Sequence, residues 1–155
     1  MTLSSGALRE IEAIKGQYPE PRGALIPALY VAEREFGWLS ATALLSLAEA
    51  LELPPAVVRG TATFYHLYRH RELGRHLIQL CTNISCLILG AEELQELLKR
   101  KYGLEPGGTT EDGRFSLLIM ECIGVCEGAP AMQIDTDLYR DLTEERLVEI
   151  LASYD

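Results

Sequence analysis

The sequence predicts an α+β protein, with an N-terminal helical bundle over residues 1–74 and a second domain over residues 75–155 whose elements run βαββα. Three observations carry that reading. Apolar residues recur at helical spacing through the first part of the chain. The character changes at the polar link His70-Arg71-Glu72-Leu73-Gly74. Beyond it, apolar runs of strand length alternate with helical patterns.

Residues 5–17 carry Leu8, Ile11 and Ile14 at helical spacing, and the segment Gln17-Tyr18-Pro19-Glu20-Pro21 stops them. A second helix is expected from Pro21 or Arg22 to about Gly37, with Leu25, Ile26, Leu29, Tyr30 and Ala32 on its apolar side. Pro27 lies inside that pattern and implies a kink or a late start. Ser40 is placed to cap a third helix whose Leu44, Leu45, Leu47, Ala48 and Leu51 face inward. Pro54 and Pro55 open a fourth, which continues through Val57 and Val58 toward Thr63-Phe64-Tyr65.

After the link, residues 76–81 read as a strand and 86–102 as a helix with Leu87, Ala91, Leu94 and Leu98 on one face. The loop from Glu105 to Gly113 is rich in turn formers, and 115–122 read as a second strand. Residues 131–135 and 138–141 suggest a hairpin turning at Asp135-Thr136-Asp137. Thr143 caps a last helix bearing Leu147, Ile150 and Leu151.

All four cysteines fall in this second half, in two short pairs. Four residues separate Cys81 from Cys86, three separate Cys122 from Cys126, and 35 lie between the pairs. Each pair follows an apolar, strand-like run. Two adjacent strands ending in two cysteine loops would bring four thiolates to one rim. Structural zinc commonly uses pairs with two intervening residues, which these wider gaps do not match. A two-iron, two-sulfide cluster is a longer object in which each iron takes its own thiolate pair. Gly124 and Gly128 stand where backbone must pass close to sulfide or adopt positive φ, and successive N–H groups there can donate to sulfur. Cys86, read as lying at a helix start, is expected to favour the thiolate. An iron–sulfur cluster, structural zinc, and plain buried or disulfide-bonded cysteine all remain open on these residues alone.

Composition narrows the function classes. At 48% hydrophobic content, 155 residues can bury a packed core. No apolar run approaches the roughly 20 residues of a membrane span, and the first residues lack a signal-peptide pattern. A reducing, cytoplasmic setting is therefore expected, with no direct membrane insertion. The net charge of −9 argues against nucleic acid as a direct partner. His66, His70 and His76 show no ligand spacing, and Trp38, Phe64 and Tyr65 read as packing residues. No GxGxxG or P-loop offers a nucleotide site, and no paired acid and base residues mark a catalytic centre.

Taken jointly, Cys81-Thr82-Asn83-Ile84-Ser85-Cys86, the loop Gly107–Gly113 leading into Phe115, and the segment Glu121–Pro130 resemble the NuoE family, the small iron–sulfur subunit of NADH:quinone oxidoreductase (respiratory complex I). Thr63-Phe64-Tyr65 and the hairpin before Leu142-Thr143 extend the resemblance to about residues 10–152. Val125 departs from it, standing where the family commonly has a small residue. The resemblance implies a thioredoxin-like ferredoxin domain and one 2Fe-2S cluster, with Cys81 and Cys86 on one iron and Cys122 and Cys126 on the other. It further implies single-electron exchange with the FMN of a larger NADH-binding, NuoF-like flavoprotein, which would place this chain peripheral to the inner membrane through its parent complex. FMN and NADH would sit on that partner. Related subunits serve NAD-reducing hydrogenases and NAD-dependent formate dehydrogenases. Outside this class stand a zinc-stabilised binding module and a thioredoxin-like dithiol oxidoreductase; the latter is weakened by the lack of a Cys-x-x-Cys at a helix start.

Overall fold

The structure is a computed structural model and describes residues 2–155. The chain forms two compact units, the first ending at Glu72 and the second running from Leu73 to Asp155.

The first unit is helical. Ser4 caps α1 (Ser5–Lys15) by accepting a hydrogen bond from Ala7 N–H at 3.2 Å. A single 3-10 turn at Pro21–Ala24 leads into α2 (Leu25–Phe36), so the start is late. Pro27 then falls in the first turn, where its missing N–H removes no intrahelical bond. Gly37, at φ 80°, ends that helix. Ser40 caps α3 (Ala41–Leu51) through Ala43 N–H at 3.1 Å, and α4 covers Pro55–Phe64. Ile11, Leu25, Leu29, Leu47, Leu51 and Val58 meet in one buried cluster.

Four apolar-face assignments of this unit are overturned, Ile26 among them at 42% exposure. Leu8, Ile26, Tyr30 and Leu45 are each more than two-fifths exposed, because the helices bury narrower stripes than the apolar residues they carry. Phe64 is 74% exposed and touches Tyr65 edge to face, so it is not a packing residue of this core.

The second unit is built on a four-stranded sheet ordered β2-β1-β3-β4, one strand more than βαββα counts, because the hairpin supplies two strands after β2. Strand β1 (His76–Cys81) runs parallel to β2 (Phe115–Met120), while β3 (Met132–Ile134) is antiparallel to both β1 and β4 (Asp137–Tyr139). Between β1 and β2 come α5 (Ile84–Ile88) and α6 (Ala91–Tyr102), and α7 (Glu144–Ala152) closes the unit. Ile78, Leu80, Phe115, Leu117, Met132 and Ile134 occupy alternate strand positions and share a core with Leu94 and Leu98 of α6 and Leu147 and Leu151 of α7. Both long helices thus pack on the same face.

The hairpin turn holds β1 as well. Asp135 sits at φ 53°, accepts Leu77 N–H on Oδ1 at 3.0 Å, and pairs through Oδ2 with His76 Nδ1 at 2.7 Å. The expected continuous helix over 86–102 is two helices. Gly90 adopts φ 108°, which breaks the helical ladder and turns Leu87 outward while Ala91, Leu94 and Leu98 stay inside. The second strand also stops at Met120, which frees Glu121 and Cys122 for the loop.

Candidate metal centre

Parallel pairing sends the C-terminal ends of β1 and β2 to the same edge of the sheet. Cys81 is the last residue of β1 and faces Met120 across the ladder, and Cys122 begins the next loop two residues on. The edge is secured by Cys81 N–H to Ala131 O at 3.1 Å and Thr82 N–H to Met120 O at 3.1 Å. Three backbone segments therefore meet where the first cysteine sits.

Asn83 opens α5 by accepting Ile84 N–H on Oδ1 at 2.8 Å. This turn swings Cys86 back toward the sheet edge and leaves Ile84 and Ile88 in solvent. Cys81 and Cys86 are both buried, in a small apolar cluster with Ala91, Val125 and Ala131. Val125 is one wall of that cluster.

The other two cysteines are exposed. Cys122 Sγ accepts Gly124 N–H at 3.3 Å, and Gly124 holds φ 82°, as its place between two cysteines anticipates. Cys126 opens a 3-10 turn that ends at Gly128. Gly128 has no positive φ; its smallness answers a close approach, since a Cβ there would lie 2.9 Å from Arg140 Cβ. None of the four cysteines is joined in a disulfide.

The electrostatics of the buried pair differ from the expectation for Cys86. Burial pushes the Cys86 thiol up to about 11, and the adjacent Cys81 sulfur adds to the rise. Cys81 is also buried, yet the N–H groups of Asn83 and Ile123 and the thiols of Cys86 and Cys122 outweigh burial and hold its pKa below the ordinary thiol range. The thiolate-favoured position is thus Cys81. Cys86 lies inside a five-residue helix, where a short dipole competes poorly with desolvation.

Among the described residues, no three His, Cys, Asp or Glu side chains form a group that could hold a single metal ion. His76 is committed to Asp135, and His70 Nε2 donates to Ala62 O at 3.0 Å. The four cysteine sulfurs come from separate backbone positions in the two loops, two of them buried and two exposed.

Residues 11–155 match the model of the thioredoxin-like [2Fe-2S] ferredoxin family. An NADH-quinone oxidoreductase subunit of Rhizobium meliloti (strain 1021) is 41% identical over 145 residues, covering 94% of this chain and 86% of its own. The corresponding NADH-quinone oxidoreductase subunit of Escherichia coli (strain K12) is 38% identical over 152 residues, covering 98% and 92% respectively. Among solved structures, an NAD+-reducing [NiFe]-hydrogenase in the H2-reduced state superposes with a TM-score of 0.70 at 28% identity over 83% of this chain. This chain spans only 21% of that hydrogenase chain. The chain belongs to the thioredoxin-like [2Fe-2S] ferredoxin family and groups there with the NuoE-type subunits of NADH-quinone oxidoreductase.

Proposed function

We propose that this chain is an electron-transfer subunit of an NADH:quinone oxidoreductase, carrying one 2Fe-2S cluster on Cys81, Cys86, Cys122 and Cys126. The observation that carries the reading is the meeting of two cysteine loops at one edge of a parallel strand pair. The residues fit such a group. Two pairs of soft donors suit an object with one pair per iron, which needs no single point of convergence. A cluster supplies one-electron chemistry at a potential set by its surroundings.

The chain's own part is to hold and insulate. Ala91, Val125 and Ala131 keep water from the Cys81 and Cys86 side, and Cys122 and Cys126 form the open side through which a partner can approach. N–H groups aimed at sulfur, such as Gly124 on Cys122, stabilise added negative charge and favour reduction.

In this reading residues 75–155 are the cluster domain, and residues 1–74 hold a larger FMN-containing, NADH-oxidising flavoprotein. Electrons pass singly between its flavin and this chain, while NADH and FMN bind only the partner. Exposed Phe64 and Leu67 supply apolar surface of the kind a permanent subunit contact uses. Among the described residues no helix is long and apolar enough to cross a membrane, and attachment at the inner membrane would come through the parent complex. The hydrogenase likeness favours a diaphorase subunit as the second reading; near-full-length relatives named for the quinone oxidoreductase weigh more.

Co-expression with the flavoprotein tests this. The full chain should co-purify with it and become reducible by NADH, and a chain beginning at Gly74 should keep its cluster but bind more weakly. Undiminished binding by the shortened chain would refute the docking role, and NADH oxidation by the full chain alone would refute the division of labour.

A further inference from the structure

The second cysteine loop is held from one side by the segment that joins β4 to α7. Asp141 N–H donates to Gly128 O at 2.8 Å, and Leu142 N–H donates to Pro130 O at 3.1 Å. Beside these bonds the aliphatic stem of Arg140 lies against Gly128. It covers Gly128 so closely that a Cβ at 128 would stand 2.9 Å from its Cβ and 3.0 Å from its Cδ. Gly128 is consequently buried although Cys126 and Glu127 at the start of the turn are exposed.

The same side chain ends in a charge. Its Nη1 donates to Glu127 Oε1 at 3.3 Å, and Glu127 directly follows Cys126. Both partners are at least half exposed, so the ion pair adds little to folding stability. Its consequence is local: a carboxylate one residue from a sulfur ligand opposes any added negative charge there, and a bound guanidinium offsets it.

We propose that Arg140 is the positioning residue of the Cys126 arm, its stem seating the Cys126–Gly128 turn and its guanidinium masking Glu127 beside the cluster. The electrostatic half rests on the cluster assignment proposed above; the seating of the turn does not. The two halves separate by substitution. Arg140→Met keeps a stem over Gly128 and removes the charge, whereas Arg140→Ala removes both.

The experiment uses the full chain. Amide hydrogen exchange is followed at Asp141 and Gly128 in protein stripped of metal, and the reduction potential and the rate of iron loss to a chelator are followed in anaerobically purified protein. Arg140→Ala should speed exchange at Asp141 by about tenfold or more, as expected for a local opening, and should hasten iron loss. Arg140→Met should leave exchange near wild type and lower the potential, and adding Glu127→Gln should restore it. Unchanged exchange in Arg140→Ala would overturn the seating role. An unchanged potential in Arg140→Met, or a fall that Glu127→Gln does not reverse, would overturn the masking role. A wild-type chain without labile sulfide would instead sink the cluster assignment and with it the masking role, and exchange at Asp141 would still decide the seating role.

Discussion

Cys81 and Met120 face each other across the parallel ladder of β1 and β2, and this register is what starts both cysteine loops at one edge of the sheet. Loss of either loop's anchor should then be felt by the whole second unit. Cys86→Ala and Cys122→Ala are each expected to abolish cluster absorbance and to lower the unfolding temperature of residues 73–155, with the helical first unit little changed. Absorbance spectra and unit-resolved hydrogen exchange check this. An alanine variant with unchanged absorbance and unchanged unfolding would exclude that cysteine as a ligand.

Two glycines should respond in opposite directions. A Cβ at Gly74 would lie 2.8 Å from Gly113 O and 3.0 Å from the Phe115 carbonyl carbon, backbone atoms of the edge that β2 is built on. Gly74→Ala is expected to destabilise the second unit by about 1–3 kcal/mol through overpacking. Gly60, exposed within α4, has open space around its would-be Cβ, and Gly60→Ala should stabilise the first unit by about 0.5–1 kcal/mol. Urea unfolding of each variant measures both.

The buried thiol pair gives a pH window. In the metal-free chain Cys86 binds its proton more tightly folded, at about 11, than at the ordinary 9.0 of an unfolded thiol. The folded state therefore holds more protons across that interval, and stability falls as pH rises through it. The contribution is fully present below pH 9, where Cys81, shifted the other way, has its own window. Between pH 9 and 11 the wild type should lose stability relative to Cys86→Ala under reducing conditions. Parallel curves for the two proteins would show that Cys86 carries no such shift.

Much of this was legible in the residues because the signals were local. The Ser40 and Thr143 caps, the turn after Ile134, and the apolar runs before each cysteine pair are all where short-range chemistry puts them. What was missed depends on long-range contacts. Gly90 reads as one more tolerable residue in a helical pattern, and only the swing of Cys86 toward the sheet edge shows why the helix must break there. The protonation order of Cys81 and Cys86 follows from which sulfur the Asn83 and Ile123 N–H groups reach, which no spacing encodes. Phe64 shows the same limit in reverse: its exposure is decided by how narrow a stripe α4 buries.

The proposed electron-transfer role stands or falls with one 2Fe-2S cluster held jointly by Cys81, Cys86, Cys122 and Cys126. Its simplest check is the iron, acid-labile sulfide and zinc content of the full chain, purified anaerobically from soluble extract without reconstitution. Two irons and two sulfides per chain are expected, with no zinc. Stoichiometric zinc without labile sulfide would contradict the cluster and every role built on it.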